Sequence, residues 1–159
     1  MTIVIDDWRV EVAPIRPGDA PAVAAMVGRC SPGALYHRFH GAVGSPERAA
    51  TLLAGHGQEV YLAWWRGRCV GVASLADGPD GSPHLGVLVE DGWQRRGVGS
   101  ALIGATVARA RERGARAVAA DVMFEDRFIL GLLARMGPVR TAASNPGYTA
   151  TVDLRPAAA

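Results

Sequence analysis

Residues 94–100, QRRGVGS, place two arginines and two glycines directly before a helix-forming pattern. The first backbone N–H groups of a helix have no acceptor within the helix, and the helix dipole adds partial positive charge at that end. Gly97 and Gly99 remove side chains that would block a close approach to these donors. The segment therefore predicts an anion-binding loop suited to phosphate, with Arg95 and Arg96 as its cationic side chains.

Three kinds of phosphate loop compete for this segment. A Walker A loop needs a lysine, and this chain contains none, all 17 of its cationic side chains being arginine. A dinucleotide fingerprint needs a third glycine where Leu102 stands. The pattern of an acyl-CoA pyrophosphate loop, Gln/Arg-x-x-Gly-x-Gly/Ala, fits residues 94–99 fully. An ordinary glycine-rich turn between a strand and a helix is the alternative without a ligand.

The elements around the loop predict a mixed α/β sheet. An apolar run at 84–89 is typical of a central strand, and an amphipathic helix follows over 98–113. A strand, three short helices and a hairpin precede them, and a strand, a helix and two strands follow. Helices are expected to cover this sheet.

Helix-start signals define the three short helices. Ser31-Pro32 and Ser45-Pro46 each combine an N-cap residue with proline at the first helical position, and Asp19 is a further candidate N-cap. Glu90 and Asp91 follow the central strand and are interpreted as loop acids.

The composition limits the class of protein. The chain has 159 residues, 49% of them hydrophobic, which suits one domain over 1–159. A net charge of +2 lacks the strongly basic balance of a nucleic-acid-binding protein. Without a long apolar run or a signal-peptide pattern, we expect a cytoplasmic protein that binds neither membrane nor nucleic acid. Cys30 and Cys69 are isolated, so both are expected in or near the core.

The sequence resembles the GNAT N-acetyltransferase superfamily. Residues 85–118, LGVLVEDGWQRRGVGSALIGATVARARERGARAV, are similar to that family's strand, pyrophosphate loop and helix, and IRPGDAPAV at 15–23 resembles its first strand and helix start. Residues 30–41, CSPGALYHRFHG, are similar to a segment of bacterial protein-lysine acetyltransferases, in which Ser-Pro precedes a Tyr-x-Arg-Phe helix.

The resemblance implies a fold and a cofactor site. The fold would be a mixed, mostly antiparallel sheet of six to seven strands flanked by helices, with splayed fourth and fifth strands, here 84–89 and 116–122. The co-substrate would be acetyl-CoA, with its pantetheine arm in the gap and its pyrophosphate on the loop. Asp126 stands where the family often has an asparagine that contacts the cofactor, and it is also a candidate N-cap. The implied cofactor-binding residues are Val87, Leu88, Val89, Gln94, Arg95, Arg96, Gly97, Val98, Gly99, Ser100 and Asp126.

The resemblance also implies a catalytic base. A glutamate acts as the base at the start of the fourth strand in the protein-lysine acetyltransferases, and His84 replaces it here. Imidazole is mostly neutral near pH 7 and accepts protons, so His84 is the candidate base; a strand-capping histidine is the alternative. The tyrosine that serves many members as the acid is replaced by Leu133, and Tyr148 or Tyr36 would have to approach from elsewhere.

The acceptor side is predicted on the short helix after Ser31. Tyr36, Arg38 and Phe39 are expected to line or support the acceptor groove. His37 and His40 share a helix face, but no third ligand is spaced to join them, so no metal site is predicted.

The function predicted from these features is acetyl transfer from acetyl-CoA directly to a primary amine, of a protein lysine or a small molecule. A non-catalytic acyl-CoA-binding module is the alternative, and a nucleotide-binding fold is a third reading. The protein is expected to be a monomer or a homodimer.

Overall fold

The sheet is built from eight strands in the part of the chain that the computed structural model describes, residues 1–5, 7–55, 57–78, 81–123, 127–144 and 147–156. These strands are β1 (Thr2–Ile5), β2 (Trp8–Pro14), β3 (Gln58–Trp65), β4 (Arg68–Asp77), β5 (Pro83–Val89), β6 (Ala117–Met123), β7 (Val139–Ser144) and β8 (Gly147–Asp153). The helices are α1 (Ala20–Arg29), α2 (Pro32–Phe39), α3 (Pro46–Leu53), α4 (Val98–Glu112) and α5 (Arg127–Ala134). A 3-10 turn, Asp91–Trp93, leads from β5 into the loop before α4.

The described strands pair in the order β1-β2-β3-β4-β5-β6-β8-β7. Neighbouring strands are antiparallel except β5 and β6, which are parallel. The predicted mixed, mostly antiparallel sheet is confirmed, with one strand more than the six to seven expected. The additional strand is β1, which pairs with the start of β2 at the sheet edge. Its four residues, TIVI, are too few to show a readable alternation.

The predicted divergence of the two central strands is also confirmed. β5 forms seven residue pairs with β4, and β6 forms seven with β8. Between β5 and β6 the described residues form one pair, His84 with Ala119. The two strands therefore separate beyond the start of β5, and the edge of β5 that faces β6 has no strand partner there.

Two hydrophobic clusters cover the two faces of the sheet. On one face, here called the α4 face, buried residues such as Leu102 of α4 and Leu133 of α5 pack on the strands. On the opposite face, here called the α2 face, Met26 of α1 and Leu53 of α3 are buried, and α2 packs beside them through Leu35 and Phe39. Since side chains alternate along a strand, each residue of β5 belongs to one face or the other.

The helix starts follow the sequence signals in two of three cases. The hydroxyls of Ser31 and Ser45 accept hydrogen bonds from the third residue beyond, each at 3.1 Å, as expected for N-caps. Asp19 occupies the N-cap position of α1, but its carboxylate accepts from the N–H of Arg16 at 2.8 Å and makes no capping bond. The longest helix, α4, has 15 residues, and no described helix has the length and apolar character to cross a bilayer.

Both cysteines lie in or near the core, as predicted. Cys69 is 1% exposed, and the partly buried Cys30 packs against the cluster of the α2 face. Burial raises the pKa of Cys30 to about 12 and that of Cys69 to about 11. Both thiols therefore stay protonated at neutral pH and behave as small apolar groups.

Glu90 is a buried carboxylate, whereas the sequence predicted an ordinary acid in a surface loop at this position. Arg29, at the end of α1, donates from Nε to Glu90 Oε1 at 3.1 Å, and Arg68, at the start of β4, donates to the same oxygen. Arg29 also donates to the carbonyl of Cys69 at 2.7 Å. The C-terminal end of β5 is thereby fixed to α1 and β4.

Replacing Glu90 with Gln should lower the free energy of unfolding by about 1–3 kcal/mol, because two arginines then lose their charged acceptor. Urea denaturation would measure the change. Glu112→Gln is the matched control, since this exposed carboxylate pairs with Arg109 within one helix; its effect should stay within about 0.5 kcal/mol. Equal effects of the two substitutions would contradict the anchoring role of Glu90.

Candidate active site

The glycine loop turns into α4 as the sequence predicts. Gly97 is the N-cap residue, with a φ of 96° in the left-handed region that favours glycine. The first helical hydrogen bond runs from the N–H of Ala101 to the carbonyl of Gly97 at 3.0 Å. The N–H groups of Val98, Gly99 and Ser100 therefore have no acceptor within the helix. They are the donors on which the predicted anion site depends.

A cleft of about 680 Å³ joins this loop to the gap between β5 and β6. Parts of the loop, of both strands, of α2 and of α5 line it. The lining residues include Gln94, Arg95, Gly97, Gly99 and Ser100 of the loop, all of 84–89 in β5, and Ala120, Asp121 and Val122 in β6. The structure thus brings most of the predicted loop residues, the open edge of β5 and His84 to one place.

The three β5 residues predicted to pair with a cofactor are not equivalent. The N–H of Glu90 donates to the carbonyl of Val70 in β4 at 2.9 Å, and Leu88 lies opposite Val72 in the same ladder. Because successive residues of a strand direct their backbone groups to opposite edges, those of Leu88 face β4 and those of Val87 and Val89 face the gap.

Two hydrogen bonds fix the surroundings of the loop to the end of β5. The side chain of Gln94 donates from Nε2 to the carbonyl of Val89 at 2.9 Å. Asp91 Oδ1 accepts from the N–H of Ser31 at 2.8 Å, which attaches the start of α2. Partial burial acts to raise the pKa of Asp91, but hydrogen bonds from Ser31 outweigh it and the pKa is lowered. The carboxylate thus remains ionised at neutral pH.

The two arginines of the loop point in different directions. The Arg95 side chain lines the cleft, and its guanidinium carbon lies 5.9 Å from the centre of the Phe128 ring. The guanidinium carbon of Arg96 lies 5.0 Å from the ring centres of both Trp8 and Trp93. The prediction that both side chains face the anion is therefore wrong for Arg96. The left-handed backbone of Arg95, with φ of 57°, accompanies this divergence.

Trp8, Trp65 and Trp93 form a ring cluster under Arg96 that sequence reasoning missed. Their ring centres are 5.0 to 5.3 Å apart. The rings come from β2, β3 and the 3-10 turn, which are separated in the chain, so no local sequence pattern indicates the cluster. Stacking over these rings gives Arg96 a favourable cation–π environment outside the cleft.

His84 lies at the narrow end of the gap, where β5 and β6 still pair. Its side chain lines the cleft, and its Nδ1 atom is buried without a hydrogen-bond partner among the described residues. The ring packs on Gly78, where a Cβ atom would collide with it. Any proton exchange by His84 therefore has to occur at Nε2, the nitrogen on the other side of the ring.

Two of the three acceptor-side residues predicted on α2 line the cleft. Arg38 and Phe39 do so, whereas Tyr36 is 43% exposed and is not among the lining residues. Successive residues of a helix are about 100° apart, so Tyr36 lies on the side of α2 opposite Arg38. The prediction for Tyr36 is wrong for this reason.

Sequence reasoning missed three residues on the α2 face, Ser74, Gly86 and Asp121, all of which line the cleft. Ser74 is 3% exposed and pairs with Gly86 across β4 and β5. Asp121 Oδ1 accepts a hydrogen bond from the Thr149 hydroxyl at 2.9 Å. For Ser74 and Asp121 the available signal is a lone polar residue inside an apolar strand, as in VASLA and AVAADVM.

The remaining predictions concern the acid, Asp126 and metal ions. Leu133 is fully buried in the core, and none of the three tyrosines, Tyr36, Tyr61 and Tyr148, lines the cleft. Asp126 lies outside the described residues. His37 and His40 both line the cleft, but no described group of three or more His, Cys, Asp or Glu residues is placed to hold a metal ion.

A mostly antiparallel sheet that opens between two parallel strands, next to a glycine loop at a helix start, defines an α/β protein with a cleft for an extended, anionic cofactor. The chain belongs to the acetyltransferase (GNAT) family, whose model matches residues 32–137. The family uses acetyl-CoA. Membership of this family identifies the chain as an N-acetyltransferase at the level of the family. No curated protein matches the sequence.

Several solved structures are similar to this chain. The GNAT domain of PAT from S. lividans is 25% identical with a TM-score of 0.81, over 97% of this chain and 96% of that one. YncA from Salmonella typhimurium, a putative acetyltransferase solved with acetyl-CoA, is 16% identical with a TM-score of 0.70, over 94% and 96%. The ribosomal-protein-S18-alanine N-acetyltransferase from Escherichia coli is 17% identical with a TM-score of 0.69, over 94% and 96%. The last two likenesses concern the fold alone.

The two loop arginines provide a matched pair of variants. Arg95→Ala should weaken acetyl-CoA binding about 5- to 20-fold, the loss of one charge-assisted contact to phosphate. Arg96→Ala should change the affinity less than about twofold, because its side chain lies on the tryptophans. Isothermal titration calorimetry with acetyl-CoA would measure both. A larger loss for Arg96→Ala than for Arg95→Ala would contradict the divergence of the two side chains.

Proposed function

We propose that residues 1–159 act as one acetyl-CoA-dependent N-acetyltransferase domain that transfers an acetyl group directly to a primary amine, of a protein lysine or a small molecule. The observation that supports this most is the continuous cleft, since it places helix-start N–H donors, an open strand edge and proton-accepting side chains together. Family membership supports acetyl transfer in general.

The residues of the cleft fit the cofactor of the family. The N–H groups of Val98, Gly99 and Ser100 together with Arg95 suit a pyrophosphate. The gap-facing N–H groups of Val87 and Val89 suit the amide groups of an extended arm, although the carbonyl of Val89 already accepts from Gln94. When bound, acetyl-CoA would supply the acetyl group as a reactive thioester.

The amine has to lose a proton for transfer to occur. A free lysine amine has a pKa near 10.4 and is therefore charged at neutral pH. The ammonium loses one proton before attack; transfer then forms the N–C bond, breaks the C–S bond and removes a second proton from the nitrogen, which passes to the departing thiolate or to water. None of the three tyrosines lines the cleft, so we assign no tyrosine as the acid for the thiolate. The protein's part is to orient the amine and accept its proton.

His84 is the proposed proton acceptor. It lies where β5 and β6 diverge, and Nε2 is the ring nitrogen through which it can reach the cleft. Accepting a proton at Nε2 requires the neutral ring to carry its hydrogen on Nδ1, where no described residue accepts it. Asp121, which lines the cleft from the far side of the gap, is a second described group that can take this role.

His84→Gln should lower kcat about 100-fold at pH 7, the usual contribution of a general base, and leave acetyl-CoA affinity nearly unchanged. The deficit should shrink as the pH rises toward 10, because more of the amine is then neutral without a base. Coenzyme release with acetyl-CoA and a panel of amines, including lysine peptides, measures these rates. Since the chain has no lysine, its own side chains do not compete as acceptors.

The same assay separates the alternatives. A wild-type rate for His84→Gln across the pH range would move the base to another residue. Acetyl-CoA binding without turnover of any amine would make the chain a non-catalytic acyl-CoA-binding module, and the proposed enzymatic function would fail. Thermal stabilisation by ATP or NAD but not by acetyl-CoA would support a nucleotide-binding protein.

A further inference from the structure

Arg38 occupies an unusual position in the cleft. Its guanidinium lies directly on the backbone of β5 at Gly86, where an added Cβ atom would come within 2.5 Å of Arg38 Cζ. Only glycine leaves room for the guanidinium at this position. Arg38 Nη2 donates to the hydroxyl of the buried Ser74 at 3.1 Å, and its guanidinium carbon lies 5.1 Å from the centre of the Phe39 ring. The side chain is thus held in place by groups on three elements.

The charge of Arg38 has no counter-ion among the described residues. Its contacts are a neutral hydroxyl and an aromatic ring, and its Nε atom is buried without a hydrogen-bond partner. Burial lowers the pKa of Arg38, and no carboxylate acts to raise it. By contrast, Arg29 and Arg68 pair with Glu90, and Arg109 pairs with Glu59. A buried, unpaired cation is costly, so this one is suited to an anion that arrives with a ligand.

The phosphates on the glycine loop are not that anion. The guanidinium of Arg38 lies over Gly86, three residues before the end of β5, which is about 10 Å along the strand. It also lies on the α2 face, whereas the side chains of Val87 and Val89 pack toward the α4 face. Arg38 therefore borders the part of the cleft where an acceptor would meet the acyl group.

A carboxylate faces the same part of the cleft from the other strand. His84 of β5 pairs with Ala119 of β6, and the two strands are parallel. Two residues further along each strand, Gly86 and Asp121 therefore lie at the same level on the two sides of the gap. Val118, Ala120 and Val122 of β6 pack toward the α4 face, so Asp121 projects to the α2 face as Arg38 does. A fixed cation and a fixed anion thus stand on the two sides of the opening gap.

We propose that the acceptor is a small amino-carboxylate, such as a free amino acid, whose carboxylate binds Arg38 while Asp121 holds its ammonium group before proton loss. This inference rests on the proposed function and names the acceptor class of the same site. Two opposite charges on the two sides of one gap match a small molecule that carries both charges. The side chain of a protein lysine carries only the cation, and the peptide groups next to it are neutral.

The test compares acceptors that differ only in the carboxylate. With acetyl-CoA held constant, kcat/KM is measured for free amino acids, their carboxamides and the corresponding decarboxylated amines. The wild type should prefer the acid over the amide about 10- to 100-fold, the effect of a hydrogen-bonded ion pair. In Arg38→Gln this ratio should fall toward one, and Arg38→Lys should restore part of it. Gly86→Ala, which displaces the guanidinium, should reproduce the loss.

Each failure has a distinct signature. Acetylation of amines without preference for the acid, or a preference that survives Arg38→Gln, would overturn the inference and leave the proposed function standing. Faster turnover of a lysine peptide than of any free amino acid would also overturn it. The acyl donor is tested in the same way with an amine that has no carboxylate. If the wild type prefers succinyl-CoA over butyryl-CoA and Arg38→Gln removes that preference, the anion belongs to the acyl donor and the inference is overturned.

Binding provides the readout that does not need turnover. Calorimetry on the protein saturated with CoA should show amino acid binding that Arg38→Gln abolishes, and acetyl-CoA affinity reports whether each variant is folded. Amino acid binding without turnover would defeat the proposed function and keep the carboxylate site. Neither binding nor turnover of any amino acid would overturn the inference itself.

Discussion

The separation of β5 from β6 is the constraint on which the rest of the structure depends. Two parallel strands that share the single described pair His84–Ala119 leave a row of backbone groups without partners, which is unfavourable in a buried sheet. The arrangement persists because each strand is fully paired on its other side, with seven pairs to β4 and seven to β8. The opening between the two strands is therefore a property of the sheet.

Ionic contacts hold the open end of β5 in position. Glu90 attaches it to α1 and β4 through two arginines, and Asp91 attaches the start of α2 through Ser31. The loop that follows therefore starts from a fixed point, and the side chain of Gln94 donates a hydrogen bond to the carbonyl of Val89 at the end of β5. The helix that carries Arg38 and the loop that carries Arg95 are thus both attached to the C-terminal end of β5. This common anchor keeps α2 and the glycine loop in fixed positions relative to each other.

The sequence was most informative where a function follows from local backbone geometry. The glycine loop, the helix start at Val98 and the apolar β5 were predictable, because glycine spacing and hydrophobic periodicity act within a few residues. Side-chain direction was not: Arg95 and Arg96 are adjacent and look alike, yet the rings of Trp8, from a distant strand, and of Trp93 decide where Arg96 lies. Arg38 and Asp121 come from segments far apart in the chain, so only the register of the sheet shows that they share a face.

The tryptophan cluster has an optical consequence. Indole rings with centres 5.0 to 5.3 Å apart couple electronically, and one of them, Trp93, stands in the turn just before the glycine loop. The guanidinium of Arg96 lies on two of these rings, and the next residue in the chain is Gly97 of the glycine loop. A shift of the loop would change both the ring geometry and the position of the charge above it. The cluster is therefore a group of neighbouring chromophores beside the glycine loop, and a change in the position of that loop would alter their circular dichroism and emission.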